Sequence, residues 1–264
     1  MKLSFSTLAC PDWTMPQIIA IAGSAGYDGI ELRFVEGEDS IWKLPVFRGN
    51  AIIQTLRDHG LSICCLDTSC RFHSPDKAER ERWIAEGERM AELAARLSAP
   101  ALRVFGDSIQ PGENREATRK WIAESIHELA ERIESFGVKV WLETHGDFAS
   151  AIETLSIVRD APQTGVIWDS ANCLIEAKER PRDGAAKLGT ALRHVHIKDL
   201  LNGKPVLTGE GDFPLHELRD VLREQKYDGY LSFEWEKKWH PEIPAAEIAL
   251  PHFTRWFQEN WNRA

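Results

Sequence analysis

Four residues in the second half of the chain are of the types that bind metal ions, and they recur at similar positions. Glu143, Asp169, His196 and Glu234 each lie in or directly after a short apolar run. A charged group among buried strand residues is unfavourable unless an opposite charge compensates it. Three carboxylates and one imidazole therefore predict a divalent cation. This donor set favours Mn²⁺, with Mg²⁺, Co²⁺ and Zn²⁺ as alternatives, and a network of salt bridges is the competing interpretation.

A regular alternation of strands and helices would bring such residues together, and the sequence has one. Short apolar runs alternate with longer amphipathic patterns through the whole chain. The predicted strands are Leu3–Ala9, Gly29–Val35, Leu61–Ser69, Ala101–Asp107, Val138–His145, Thr164–Asn172, Leu192–Leu200 and Gly229–Lys237. The predicted helices are Met15–Ala25, Arg48–His59, Asp76–Leu97, Glu116–Phe136, Ala149–Asp160, Arg182–Thr190, Pro214–Gln225 and Ala245–Asn260.

Repeated strand-helix units predict an α/β fold of the (β/α)₈ type, a TIM barrel, rather than an open doubly wound sheet. The length of 264 residues fits one such barrel, so we predict a single domain over residues 1–264. In these barrels the catalytic residues lie at the C-terminal ends of the strands. The four candidate ligands lie toward those ends of the predicted strands five, six, seven and eight.

Composition and charge exclude several classes of protein. The formal net charge of −9 argues against a protein that binds the phosphates of nucleic acids. No apolar run reaches the length that a membrane helix needs, and the N-terminus lacks the pattern of a signal peptide. Five cysteines without Cys-x-x-Cys spacing predict reduced, buried thiols. We therefore expect a cytoplasmic protein without nucleic-acid or membrane partners.

The ten tryptophans are many for a chain of this length. Those near predicted strand ends favour a carbohydrate pocket, because indole rings stack on the apolar faces of sugars, whereas packing inside the barrel and against helices is the alternative. These tryptophans are Trp13, Trp42, Trp168, Trp235 and Trp239.

The order of the four candidate ligands on predicted strands five to eight resembles the xylose isomerase-like barrel family. That family includes sugar isomerases, ketose 3-epimerases, inosose dehydratases and abasic-site endonucleases, and the resemblance covers essentially the whole chain. Three further phrases match it, namely Leu102-Arg103-Val104-Phe105-Gly106, His194-Val195-His196-Ile197-Lys198-Asp199 and Gly209-Glu210-Gly211-Asp212-Phe213. Together these phrases are specific for the superfamily and much less so for a substrate.

The resemblance implies a metal-dependent sugar isomerase or epimerase. In the epimerases of the family, two metal-bound glutamates face opposite sides of the sugar, and the matching positions are Glu143 and Glu234. A metal that chelates a carbonyl and its neighbouring hydroxyl acidifies the intervening C–H bond and stabilises an enediolate. One carboxylate then removes the proton and the other returns it. The alternative is that both glutamates are ligands only.

Further residues are predicted to bind the substrate: His73, His145, Asn172, Lys198, Glu210 and Arg103. His145 and Lys198 each lie two residues after a candidate ligand, so strand alternation puts them on the same face. Each of these side chains has a structural alternative. His145 fits equally well as a hydrogen-bond partner of a ligand, Lys198 fits an ion pair with Asp199 or Glu210, and Arg103 fits an ion pair with Glu143.

One departure from the family pattern bears on the choice of reaction. Asn172 stands where epimerases and endonucleases of the family commonly have histidine, three residues after the strand-six aspartate. Together with the lack of a histidine-rich loop, this makes an endonuclease improbable. A lyase or dehydratase acting on a keto-inositol or 3-keto-glycoside is the main alternative, with Lys198 or His145 as the acid. A metal-stabilised sugar-binding protein is the third hypothesis, and a homo-oligomer is compatible with all of them.

Overall fold

The computed structural model describes residues 1–159, 161 and 163–261, and its strands form a closed eight-stranded barrel. The order around the barrel is β1-β10-β7-β6-β5-β4-β3-β2, which confirms the predicted TIM barrel. The barrel strands are β1 (Lys2–Ser6), β2 (Gly29–Leu32), β3 (Ser62–Arg71), β4 (Ala101–Phe105), β5 (Lys139–Glu143), β6 (Thr164–Asp169), β7 (Leu192–Ile197) and β10 (Tyr230–Phe233). Two further short strands, β8 (Asp199–Leu201) and β9 (Lys204–Val206), pair as an antiparallel hairpin that the sequence analysis missed.

In the described part of the chain α1 has the predicted bounds, α6 was not predicted, and the other helices match predicted ones with different bounds. They are α1 (Met15–Ala25), α2 (Ala51–Asp58), α3 (Lys77–Leu97), α4 (Arg115–Arg132), α5 (Ala151–Val158), α6 (Ser170–Glu176), α7 (Pro181–Leu188), α8 (Leu215–Glu224) and α9 (Ala246–Asn260). Side-chain caps fix several starts, since the carboxylate of Asp76 accepts the N–H of Ala78 and the amide oxygen of Asn114 accepts that of Ala117. Asp160, predicted to end the fifth helix, lies outside the described residues.

Most of the predicted strands were too long at their C-terminal ends. Thr7–Ala9 forms a 3₁₀ turn after β1, and Ser170–Glu176 forms α6 directly after β6. The carboxylate of Asp169 accepts the N–H of Asn172, so it caps α6 and ends the strand at the same point. Asn172 therefore lies in the first turn of a helix, and its placement on strand six was wrong.

The described residues group into two compact units, and the prediction of one domain over residues 1–264 stays a prediction. The first unit, called the terminal unit below, contains Met1–Cys64 and the chain from His196 onward. In it β1 pairs in parallel with both β2 and β10. Its core is aromatic: the ring of Phe233 stacks on that of Phe253 at 4.6 Å, and the ring of Phe5 lies 4.8 Å from that of Tyr27.

The second unit, called the central unit, contains Cys65–Val195. Here β3, β4, β5 and β6 pair in parallel, and the register places Phe105 opposite Glu143 and Glu143 opposite Ile167. One layer of the core is formed by Cys65, Ala101, Trp141 and Ile167, all of them buried. The glutamate thus stands at the end of a strand whose preceding residues are packed among apolar side chains.

The loop that follows β7 in the terminal unit is folded around one carboxylate. Asp199 accepts the backbone N–H groups of Leu200 at 2.9 Å, Gly209 at 2.8 Å and Gly211 at 3.0 Å. A Cβ atom at Gly211 would collide with the Asp199 carboxylate, so this position requires glycine. Burial raises the pKa of Asp199, and the backbone hydrogen bonds oppose that rise.

Three findings about the cysteines, the helices and the tryptophans bear on expectations from the sequence. All five cysteines are free and buried, and burial raises the pKa of Cys173 to about 12. None of the helices in the described ranges has the length and apolar character that crossing a membrane requires. Trp168 and Trp235 are buried in the core, with exposed fractions of 0% and 1%, so the structure supports packing over a pocket role for them.

Candidate active site

In the central unit, Glu143 ends β5 and forms a buried ion pair with Arg103 of β4. The Nη1 atom of Arg103 donates to Oε2 of Glu143 at 2.8 Å, and both side chains are almost fully buried. The guanidinium also donates to the carbonyl oxygen of Thr68 at 3.3 Å, and its Nε lies 3.9 Å from the carboxylate of Asp67. The predicted ion pair of Arg103 with Glu143 is therefore present. It fixes the orientation of the Glu143 carboxylate.

Asp169, at the end of β6, is held by backbone groups and by a neighbouring hydroxyl. Thr144 accepts the N–H of Asp169 at 2.8 Å and donates its own hydroxyl to the Asp169 carbonyl at 3.1 Å. Oδ1 of Asp169 accepts the N–H of Asn172 at 2.8 Å, and the Asn172 side-chain amide donates to the Thr144 carbonyl at 3.2 Å. Asn172 thus helps to hold Thr144 and Asp169, and its role in binding substrate stays a prediction.

In the terminal unit, the imidazole of His196 lies between two carboxylates. Its Nε2 is 2.8 Å from Oε1 of Glu31, a residue of β2, and its Nδ1 is 3.6 Å from Oε1 of Glu234. The other carboxylate oxygen of Glu31 accepts the hydroxyl of Ser232, which lies on β10. His196 and Glu234 are two of the four predicted ligands, and this unit brings them side by side.

Lys198 supplies a positive charge beside two glutamates of the terminal unit, Glu234 and Glu236. Its Nζ donates to Oε2 of Glu234 at 2.8 Å and to Oε1 of Glu236 at 2.6 Å, while the side chain is only 5% exposed. The alternative pairings considered for Lys198 were Asp199 and Glu210. Asp199 accepts backbone N–H groups of its own loop, and Glu210 is exposed on that loop. Lys198 therefore pairs with Glu234 and Glu236, and its role in binding substrate stays a prediction.

The remaining predicted residues lie in the central unit, apart from Glu210. His145 is half-buried, and its ring lies 4.8 Å from that of Phe105. Nδ1 of His73 lies 3.9 Å from the carboxylate of Asp107, and burial lowers the pKa of His73 against the opposing effect of Asp107. Among the described residues, neither histidine makes a hydrogen bond to a predicted ligand. Their roles in binding substrate stay predictions.

The sequence analysis missed Glu31, which is fully buried in the middle of β2. A signal was available, because Gly29-Ile30-Glu31-Leu32 places a lone carboxylate inside an apolar strand. Such a group needs a partner of its own. The candidate ligands were predicted on strands five to eight, and Glu31 on strand two was not among them.

The chain matches the profile of one protein family, and solved structures share its fold. Residues 19–256 match the profile of xylose isomerase-like TIM barrels, whereas none of the curated proteins matches the sequence. The probable 3-DHS dehydratase AsbF, involved in petrobactin synthesis in Bacillus anthracis, is 19% identical, with 98% of this chain and 100% of AsbF covered and a TM-score of 0.82.

Two other solved structures have similar barrels. A D-psicose 3-epimerase solved in the presence of D-fructose has 17% identity, full coverage of both chains and a TM-score of 0.83. The IolI protein with a bound zinc atom has 19% identity, 97% coverage of both chains and a TM-score of 0.81. At these identities the likeness to all three proteins shows the shared fold.

Proposed function

The chain belongs to the xylose isomerase-like TIM barrel family, and from this premise we propose that it is a divalent-metal-dependent enzyme acting on a small sugar or keto-sugar. The proposed reaction is an isomerisation or epimerisation, in which a proton next to a carbonyl group is removed and returned. One observation carries the proposal: buried carboxylate and imidazole groups stand at or near the ends of β5, β6, β7 and β10, namely Glu143, Asp169, His196 and Glu234.

The chemistry of these four groups fits a divalent cation. Three carboxylates and one imidazole are a donor set that suits Mn²⁺ and is compatible with Zn²⁺, and each residue offers one buried ligand atom. We propose Mn²⁺ as the resident metal, while the zinc atom in the IolI protein makes zinc the first alternative. The bound metal would polarise the substrate's carbonyl group and stabilise an enediolate.

The chain's own residues are suited to moving the proton. The ion pair with Arg103 places a positive charge 2.8 Å from the Glu143 carboxylate and points that carboxylate in one direction. Glu234 receives a hydrogen bond from the Lys198 ammonium, so a positive charge lies beside the second proposed proton carrier. We propose that Glu143 and Glu234 exchange the proton with the substrate, and that Asp169, fixed by Thr144, binds the metal only.

A lyase is the second candidate, and Lys198 favours it. Its ammonium group is buried and lies 2.8 Å from Glu234, so an acid stands next to a proposed base. In an elimination, the base removes the proton next to the carbonyl and the acid protonates the departing oxygen, which leaves as water or an alcohol. The similarity to AsbF, a probable dehydratase, supports this alternative as much as the similarity to the epimerase supports the first.

The proposal is tested with the full chain in three measurements. Metal content is determined by elemental analysis after purification, and Mn²⁺ and Zn²⁺ affinities are measured by calorimetry. Ketoses, keto-inositols and 3-keto-glycosides are then incubated with the loaded protein in D₂O and followed by NMR. Deuterium incorporated at carbon without loss of mass supports epimerisation, and loss of water or of an aglycone supports the lyase.

Matched variants locate the site. Asp169→Asn is expected to weaken metal binding by at least about 100-fold, as loss of a ligand should. Glu143→Gln and Glu234→Gln should each reduce turnover by at least about 100-fold, the usual contribution of a positioned acid or base. Glu124→Gln, a change on an exposed face of α4, should affect neither. A protein that binds no stoichiometric metal refutes the proposal, and sugar binding without exchange or turnover indicates a binding protein.

A further inference from the structure

Glu31 touches one of the proposed ligands from a strand that supplies none of the four. Oε1 of Glu31 lies 2.8 Å from Nε2 of His196, and both side chains are fully buried. Its second oxygen accepts the Ser232 hydroxyl. The carboxylate is therefore held at both oxygens, by one group from β7 and one from β10, and its orientation toward the imidazole is fixed.

The chemistry of this contact determines where the imidazole carries its proton. Glu31 already accepts the Ser232 hydroxyl through Oε2, and a carboxylate that accepts through both oxygens assigns the donor role at the 2.8 Å contact to Nε2 of His196. A neutral imidazole has one N–H, and with the proton on Nε2 the lone pair is on Nδ1. Nδ1 lies 3.6 Å from Oε1 of Glu234, which is longer than a nitrogen–oxygen hydrogen bond.

We infer that Glu31 is a positioning residue, which holds His196 in the tautomer protonated on Nε2 and so presents Nδ1 to the metal. The inference rests on the proposed function in that it assigns His196 as a ligand. Ligand histidines commonly donate their second ring N–H to a carboxylate, and this contact fixes the ring and increases its basicity. Glu31 lies on β2, opposite Ser6 of β1 in the parallel register, and acts through His196.

The first test measures the tautomer in the metal-free protein, so it does not depend on metal binding. Histidine ¹⁵N–¹H correlation spectra report which ring nitrogen carries the proton. The wild type is expected to show His196 protonated on Nε2. Glu31→Leu, which removes the acceptor at similar volume, should shift the ring toward the other tautomer or a mixture. Glu31→Gln should retain the Nε2 proton, because its amide carbonyl still accepts a hydrogen bond.

The second test measures Zn²⁺ affinity by calorimetry. Glu31→Leu is expected to bind zinc about 10- to 100-fold more weakly than the wild type, and Glu31→Gln should recover most of the loss. Glu179→Leu is the matched control, since Glu179 is also a buried glutamate that accepts a backbone N–H. It should change neither the tautomer nor the affinity.

The outcomes separate this inference from the proposed function. A wild-type His196 protonated on Nδ1, or on both nitrogens, overturns the inference, as does a Glu31→Leu protein with unchanged spectrum and affinity. If the wild type binds no zinc, the proposed function fails, and the spectra of the metal-free protein alone decide on Glu31. If Glu31→Leu does not fold, Ser232→Ala, which frees one carboxylate oxygen, should broaden or split the His196 signals while Glu179→Leu does not.

Discussion

The central and terminal units hold their candidate ligands in different ways. In the central unit, the hydroxyl of Thr144 and the N–H of Asn172 hold Asp169. The guanidinium of Arg103 holds Glu143. In the terminal unit, His196 and Glu234 belong to a network of side chains that includes Glu31 and Lys198. Backbone groups are positioned by the fold itself, whereas a side-chain network depends on every member being present.

This difference indicates which candidate ligands are held rigidly and which are adjustable. In the central unit, Asp169 is fixed by groups that also end β6 and begin α6, and Glu143 is fixed by its ion pair with Arg103. The candidate ligands of the terminal unit are held by the side chains of Glu31 and Lys198. We therefore expect substitutions in the central unit to cost folding stability, and those in the terminal unit to change the chemistry of the site more than its stability.

The largest effect on stability is expected from Arg103→Met. Removing the guanidinium leaves the Glu143 carboxylate buried beside Asp67 without that cation, which should lower the free energy of unfolding by about 3 to 5 kcal/mol. Urea denaturation followed by circular dichroism measures the loss.

Lys198→Met is the matched change in the terminal unit. We expect a smaller loss of about 2 kcal/mol, because Glu236 is partly exposed and regains water when the lysine is removed. Lys120→Met, at an exposed pair on α4, is the control and should change the free energy of unfolding by less than about 0.5 kcal/mol. Equal losses for Arg103→Met and Lys198→Met would contradict the distinction between the two units.

A moderate effect is expected from Thr144→Val, which keeps the shape of the side chain but removes its hydroxyl. The N–H of Asp169 loses its acceptor in a buried position, so the free energy of unfolding should fall by about 1 to 2 kcal/mol. Metal affinity should also fall if Asp169 is a ligand. Thr118→Val, whose hydroxyl donates only to a helix carbonyl, is the control, and an equal loss there would show that Thr144 has no special role.

The smallest effect concerns the pH dependence of stability. Burial lowers the pKa of His73 in the folded protein, so the unfolded chain binds the proton more readily. Stability should therefore decrease as the pH falls from 7 through the ordinary histidine pKa, and His73→Gln should remove this part of the decrease. Denaturation at pH 7 and pH 5 measures it, and an identical decrease in both proteins would show that His73 does not contribute.

Much of the architecture was predictable, because it depends on patterns that the sequence carries directly. Alternating apolar runs and amphipathic stretches identified the barrel strands and most of the helices. The ends of strands were less predictable, since they depend on single hydrogen bonds. The strand predicted over Thr164–Asn172 ends at Asp169 because that side chain turns back to cap α6, a contact that apolar periodicity does not record.

The candidate site was predictable in part for a similar reason. Residue types and strand order predicted buried glutamates at the ends of two strands, where Glu143 and Glu234 lie. Simple alternation predicted Lys198 near the candidate ligands, and it contacts Glu234. Their roles in metal binding and catalysis stay predictions. Glu31 was missed because its partner, His196, is 165 positions away in the sequence. Only the closing of β1 against both β2 and β10 brings strands from the two ends of the chain into one sheet.

The loop after β7 has a consequence for how this protein can change. Its fold depends on the Asp199 carboxylate at its base, while the residues at its tips, including Asn202, Lys204 and Glu210, are exposed. The length and sequence of the tips can therefore vary while Asp199 and the preceding strand β7 keep their positions. The tips of this loop can therefore be replaced without disturbing its base. A library that randomises the tips and preserves Asp199, Gly209 and Gly211 is a natural starting point for engineering.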